Sequence, residues 1–208
     1  MKRNRFRRLQ SLLLLAGASL IALVALGYHP NPVKAQQSEI NQTATGSTWR
    51  AASFPVENFE EYSSPFGPRG EGEFHYGLDI AAPQGSYIRN WWGGEVVEVI
   101  NDDRCGTGLV IESGKWEHVY CHMEGQVGQA NGRNYLIDRE GGIIIWQNEQ
   151  LNAGVRIGRV GMSGRTTGPH LHWGLRYADN WIDPGTVLRA MYGEQTAALS
   201  SRPEAQQY

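Results

Sequence analysis

Cysteine is scarce, with two in 208 residues, Cys105 and Cys121. So few leave room for one bridge and no dense disulfide framework. Long stretches with helical periodicity are missing, which excludes a helical bundle or an added coiled coil. No segment repeats at a fixed period, so repeat architectures are excluded as well. Basic surplus is also missing: 19 Lys and Arg stand against 21 Asp and Glu. A nucleic-acid binder needs the opposite balance.

The start carries bases and no acid. Lys2, Arg3, Arg5, Arg7 and Arg8 precede an almost purely apolar run, Leu12 to Leu26. Val33-Lys34-Ala35 then offers small residues at the two positions a signal peptidase reads. A charged start, a short apolar core and a small-residue cut site describe a secretory signal over residues 1–35. The run is short for a membrane span, and an uncleaved anchor is the alternative. Arg7-Arg8 alone does not make a twin-arginine signal. Cleavage after Ala35 would remove six basic residues and no acid, taking the net charge from −2 to −8. The expected mature protein is thus an exported monomer, periplasmic or extracellular in the cell envelope. Its charge suits neither nucleic acid nor an anionic membrane. In an exported chain, Cys105 and Cys121 are expected to form a disulfide rather than remain free thiols.

Residues 36–52 are polar and small and predict a flexible linker. Residues 193–208 are similar and predict a disordered tail. The domain between them, 53–192, is rich in glycine and in short apolar runs. Val96 to Ile100, Gly108 to Ile111, Ile143 to Trp146 and Leu171 to Leu175 are bounded by turn residues and predict strands. Val187 to Tyr192 predicts one short helix. The fold class is mainly β, with an antiparallel β-sheet core. Trp91-Trp92 is read as packing.

Six histidines occur, and His29 would leave with the signal. Four of the others sit in three compact motifs: His75-Tyr76-Gly77-Leu78-Asp79, Tyr120-Cys121-His122-Met123 and Gly168-Pro169-His170-Leu171-His172. Alternate residues of a strand share a face, so His170 and His172 point the same way. Two imidazoles on one face suit a metal, although an isolated His-x-His is more often a pair of ordinary surface or core histidines. His75 and Asp79 form a second pair, whose plain reading is a His–Asp contact. Gly77 argues against a helix there. Two histidines and one aspartate make a zinc donor set that leaves a place for water, whose pKa the metal lowers to about 7. Which of His170 and His172 is the ligand stays open on this reading. His122 offers a proton acceptor and donor in the right range. His118 falls on the same face in a regular strand and receives no role. A cysteine peptidase built on Cys121 and His122 is disfavoured, since neighbours on a strand face opposite ways.

Taken together these motifs resemble the lysostaphin/LytM-type zinc metallopeptidases. Ser64-Pro65-Phe66-Gly67-Pro68-Arg69 is similar to the family's opening segment, and His75 to Gly85 to its first ligand motif. Gly94 to Val97, Gly106 to Gly108, Tyr120 to Met123 and Ile157 to His172 follow in the family's order. The resemblance covers roughly Ser63 to Leu188. It implies an antiparallel core of the LytM/duplicated-hybrid-motif type with a zinc site in a groove across one sheet. It implies one zinc ion per chain on His75, Asp79 and His172. His122 and His170 would orient or deprotonate the attacking water and stabilise the oxyanion. The implied activity is endopeptidase cleavage of peptidoglycan cross-links or stem peptides. Departures are Met123 for a leucine, Cys121 for a small residue, and a longer 125–148 segment that is expected to wall the groove. An inactive scaffold is the rival from another class, and the full set of ligands argues against it. A closed structural metal site would need a fourth ligand motif, which the chain does not supply.

Overall fold

The computed structural model describes residues 47–200. The expected signal, the first part of the expected linker and the last eight residues lie outside the described residues. Among those described, no helix is long and apolar enough to cross a membrane.

The framework is an eight-stranded antiparallel sheet. Its order is Glu61–Ser64, Leu78–Ala81, His170–Tyr177, Trp116–Cys121, Gly106–Ser113, Gly94–Asp102 and Gln150–Leu151, with Asn180–Ile182 also paired to His170–Tyr177. Each run expected to be a strand lies in one. The central strand shows how sequence sets the faces. Leu171, Trp173, Leu175 and Tyr177 are buried, while His170, His172 and Arg176 on the other face are partly exposed. In the neighbouring strand Leu78 and Ile80 go to the core, and the register sets Asp79 opposite His172. Each large apolar side chain so buried contributes roughly 1.5–3 kcal/mol. One face of the sheet therefore holds the core, and the other carries polar chemistry.

The 125–148 segment is an antiparallel sheet of its own, Gln126–Ala130, Arg133–Asp138 and Ile143–Trp146. Its first turn is Asn131-Gly132, both with positive φ, 51° and 73°. That is the two-residue turn whose twist matches a hairpin. The small sheet packs against Gly94–Asp102 and Arg156–Arg159. It is pinned by the Arg159 guanidinium, which donates to both oxygens of buried Asp138 at 2.5 and 2.7 Å.

Two boundaries differ from expectation. Ser47–Ala51 is a short 3-10 helix, not loose linker, and Trp49 is only 2% exposed. The reason is apolar area: Trp49 packs 4.8 Å from Trp91 and 5.7 Å from Trp116, ring to ring. Trp91 is itself fully buried, as the packing reading required. At the other end the helix runs Pro184–Ser200, past the expected stop at Tyr192. The Asp183 carboxylate accepts from the Gly185 N–H at 2.8 Å and from the Thr186 hydroxyl at 2.9 Å, capping the start before a proline at the first position. Gly193 costs only about 1 kcal/mol against alanine in a helix, too little to end it. Beyond it, Gln195 Nε2 donates to the carbonyls of Ala52 and Trp49 at 2.8 and 3.1 Å.

Cys105 and Cys121 are joined in a disulfide, with Cα atoms 4.8 Å apart. Cys121 is thereby no nucleophile. A loop of 16 residues closed in this way stabilises by about 3 kcal/mol in the chain-entropy model.

His118 corrects another expectation. It lies on the core face with no exposed surface, its ring edge-on to Trp91 at 4.8 Å, and neither ring nitrogen has a hydrogen-bond partner. Burial pushes its pKa down to about 3. An unfolded histidine takes a proton near pH 6.5, whereas folded His118 stays neutral until far lower pH. The unfolded state then binds more protons, and stability falls with falling pH by about 1.4 kcal/mol per unit between roughly pH 6 and pH 3. His118→Phe is expected to flatten that part of the profile. Urea unfolding of both proteins at about pH 7 and pH 5 measures it, and parallel losses would refute the assignment.

Candidate metal centre

Three side chains from two adjacent strands and the segment before them converge on the polar face. His75 Nε2 lies 2.9 Å from Asp79 Oδ1 and 3.0 Å from His172 Nδ1, and the last two atoms are 2.8 Å apart. The orientation of each is enforced. His75 Nδ1 donates to the Pro65 carbonyl at 2.7 Å, which leaves Nε2 aimed at the cluster. Asp79 faces His172 by sheet register. His172 fits because residue 77 is glycine: a β-carbon there would lie 2.7 Å from His172 Nε2 and 2.9 Å from the Trp173 carbonyl oxygen. His75 and Asp79 are buried, and His172 is partly exposed.

Burial alone would raise the Asp79 carboxyl. Hydrogen bonds to His172 and His75 outweigh it and hold the group well below the usual carboxylate range. Its second oxygen accepts from Arg69 Nη2 at 2.9 Å, and the same nitrogen donates to the Ser64 hydroxyl at 2.8 Å. Arg69 received no role from sequence. The only local hint was its place in the Phe-Gly-x-Arg segment.

A cation fits this donor set. Two imidazole nitrogens and a carboxylate oxygen bring lone pairs together at 2.8–3.0 Å. Arms of about 2.0 Å in a tetrahedral zinc site give edges of about 3.3 Å, so a small relaxation suffices. The same three residues form the His/Asp group capable of holding a metal among the described residues.

His122 and His170 stand beside the cluster, with rings 4.8 Å apart. His170 Nε2 is 3.6 Å from Asp79 Oδ1, farther than His172 Nδ1 at 2.8 Å. The geometry thus separates two histidines that sequence spacing left equivalent. His170 Nδ1 is held by the Gly168 carbonyl at 2.9 Å. His122 is off the strand, with φ of 63°, so the regular alternation that would pair it with His118 is broken. Its N–H donates to the Cys105 carbonyl at 2.8 Å, and the next N–H, of Met123, donates to Thr107 at 3.0 Å. Its Nδ1 donates to the Ser163 carbonyl at 2.8 Å, which leaves Nε2 as the acceptor. Burial lowers the His122 pKa, and the hydrogen bond to Ser163 only partly offsets this. The disulfide closes across the same strand ends that hold this turn.

A mainly antiparallel sheet with a His/Asp donor group on its open face and two further histidines beside it describes a metallohydrolase class. Residues 73–184 match peptidase family M23, more than half of the chain, and the chain belongs to that family. The lysostaphin/LytM-type resemblance read from the motifs agrees with this. The DD-carboxypeptidase/endopeptidase Mpg of Neisseria meningitidis is 30% identical over 135 residues, which is 62% of this chain and 27% of that protein. The peptidoglycan DD-endopeptidase ShyA of Vibrio cholerae is 30% identical over 129 residues, 59% of this chain and 26% of that protein. The chain thus spans about a quarter of the length of these curated relatives. Among solved structures, the catalytic domain of the prophage-encoded M23 protein EnpA from Enterococcus faecalis superposes with a TM-score of 0.50 at 26% identity, covering 67% of this chain and 97% of that one.

Proposed function

We propose that this chain is an exported zinc endopeptidase that hydrolyses peptide bonds in peptidoglycan cross-links or stem peptides. The observation that carries the reading is the convergence of His75 Nε2, Asp79 Oδ1 and His172 Nδ1, with His122 and His170 alongside. The relatives named as peptidoglycan peptidases support the substrate class. His75, Asp79 and His172 would hold one zinc ion. When bound, zinc supplies Lewis acidity that polarises the scissile carbonyl and acidifies water.

The chain's own groups do the rest. His122 has its Nδ1 proton committed to Ser163, so Nε2 takes the proton from the attacking water and returns it to the leaving amine. His170, whose Nδ1 proton is held by the Gly168 carbonyl, orients that water through Nε2 and, once Nε2 is also protonated, stabilises the charge developing on the carbonyl oxygen. Arg69 is a positioning residue: it holds the outer oxygen of Asp79 and so fixes the inner one.

The test is mass spectrometry of fragments released from purified peptidoglycan by residues 36–208, with and without a zinc chelator. Chelator-sensitive release of uncrosslinked peptides is expected and names the bond. No release from several wall types by zinc-loaded protein would overturn the reading in favour of an inactive scaffold.

A further inference from the structure

A row of aromatic rings beside the donor group has no part in the chemistry above. Phe66, Phe74, Tyr76 and Trp181 follow one another with centroids 5.0, 4.7 and 5.4 Å apart. Phe74, Tyr76 and Trp181 are 39%, 46% and 38% exposed, in a domain that buries Trp49, Trp91, Trp116 and Trp173. Exposed apolar surface concentrated in one place marks a contact site more often than chance.

The row is tied to the site at two points. Tyr76 separates His75 from Gly77 in the first motif. Trp181 is in register with Arg176, and so shares the sheet face of His170 and His172. Its ring leans back over Gly174, where a β-carbon would meet the indole at 3.0 Å and the Tyr76 carbonyl oxygen at 3.1 Å. Gly174 is two residues from His172, about 7 Å along the strand. The Arg176 guanidinium lies 5.6 Å from the Trp181 ring and is anchored to Glu117 at 2.6 Å, which puts polar groups at the rim of the row.

We propose that this row is a platform for a sugar ring of the glycan strand, which lies on Trp181 and Tyr76 while the attached peptide reaches the His75, Asp79 and His172 group. The inference rests on the endopeptidase reading and adds a sugar to its substrate. Stem peptides of peptidoglycan carry small or charged side chains. The broad apolar surfaces of that polymer are the C–H faces of its pyranose rings, and the hydroxyl and acetamido groups lie at their edges. An apolar ring face with polar groups at its rim complements that pattern. A protein partner would need on the order of 1,000 Å² of buried surface, more than a single file of four rings provides.

The experiment compares two substrates: cross-linked dimers that keep their N-acetylglucosamine and N-acetylmuramic acid units, and the same dimers after an amidase has removed the sugars. The zinc-loaded wild type is expected to favour the sugar-bearing dimer about tenfold in kcat/KM, mostly through KM. Trp181→Ala should bring that ratio close to one, and Trp181→Tyr should keep most of it. A wild type with no preference, or an alanine variant with the wild-type ratio, overturns the platform and leaves the endopeptidase reading intact. If neither dimer is cut, that reading fails and binding decides the platform. The peptide-free tetrasaccharide of the same two sugars should then shift the Trp181 indole N–H resonance, and an unmoved resonance overturns the proposal.

Discussion

His172→Ala is expected to yield a folded protein that no longer retains zinc through gel filtration and no longer cleaves peptidoglycan. The ring would supply one of three donor atoms, and the two left behind, His75 Nε2 and Asp79 Oδ1, are 2.9 Å apart, while His170 Nε2 stands farther off, 3.6 Å from Asp79 Oδ1. Loss of several kcal/mol of charge stabilisation corresponds to a rate fall of at least about 10³-fold. The fold should survive, because His172 is on the polar face and the core is made by its neighbours Leu171 and Trp173, both fully buried. Metal content by elemental analysis, the melting curve and fragment release read the three consequences separately. Near-normal cleavage with zinc still bound would remove His172 from the ligand set.

His122→Ala should separate chemistry from metal binding. Zinc content is expected to match the wild type, since the His122 ring is 6.1 Å from the His172 ring by centroids and the donor triad stands without it. Turnover should fall by about 10²–10⁴-fold, the usual contribution of a positioned acid–base group. The loss belongs in kcat, with KM changed little, if the residue acts on protons in the transition state rather than on substrate binding. The pH profile of the wild type adds a sign. Burial lowers the His122 pKa, so the neutral base persists below the ordinary histidine range, and the acid limb of kcat/KM should fall off below about pH 6.5. Full turnover in a zinc-retaining His122→Ala protein would end its catalytic assignment.

The parts of the site that were legible in the sequence are those whose geometry is local. His-x-His on a strand is a two-residue statement, and the sheet kept it: His170 and His172 share a face. The strand class was legible for the same reason, since alternating burial in His170–Tyr177 is written directly in the order of apolar residues. What local reading could not see was set by distant contacts. Setting His172 rather than His170 opposite Asp79 is a matter of register with another strand, which spacing within one strand does not carry. Alternation puts His118 on the face of His122 only if the strand continues through His122, where a positive φ and a hydrogen bond to Ser163, 41 positions away, turn the chain. The link from Arg69 to Asp79 crosses ten residues, and no periodicity encodes it. Other signals are local: Asn131-Gly132 between apolar runs marks a hairpin, and Asp183-Pro184 marks a helix start.

Trp49 bears on where the protein is safely trimmed. Composition invites a cut at residue 53, where polar, small residues give way to the glycine-rich body. Such a cut would take away a side chain lodged against Trp91, Trp92 and Trp116. Emptying a buried tryptophan site costs about 3–5 kcal/mol, a large part of the margin that keeps a domain folded. Gln195 would lose both carbonyls that fasten the closing helix, so damage at one end of the chain would loosen the other. A shortened protein that begins at Ser47 keeps this clasp.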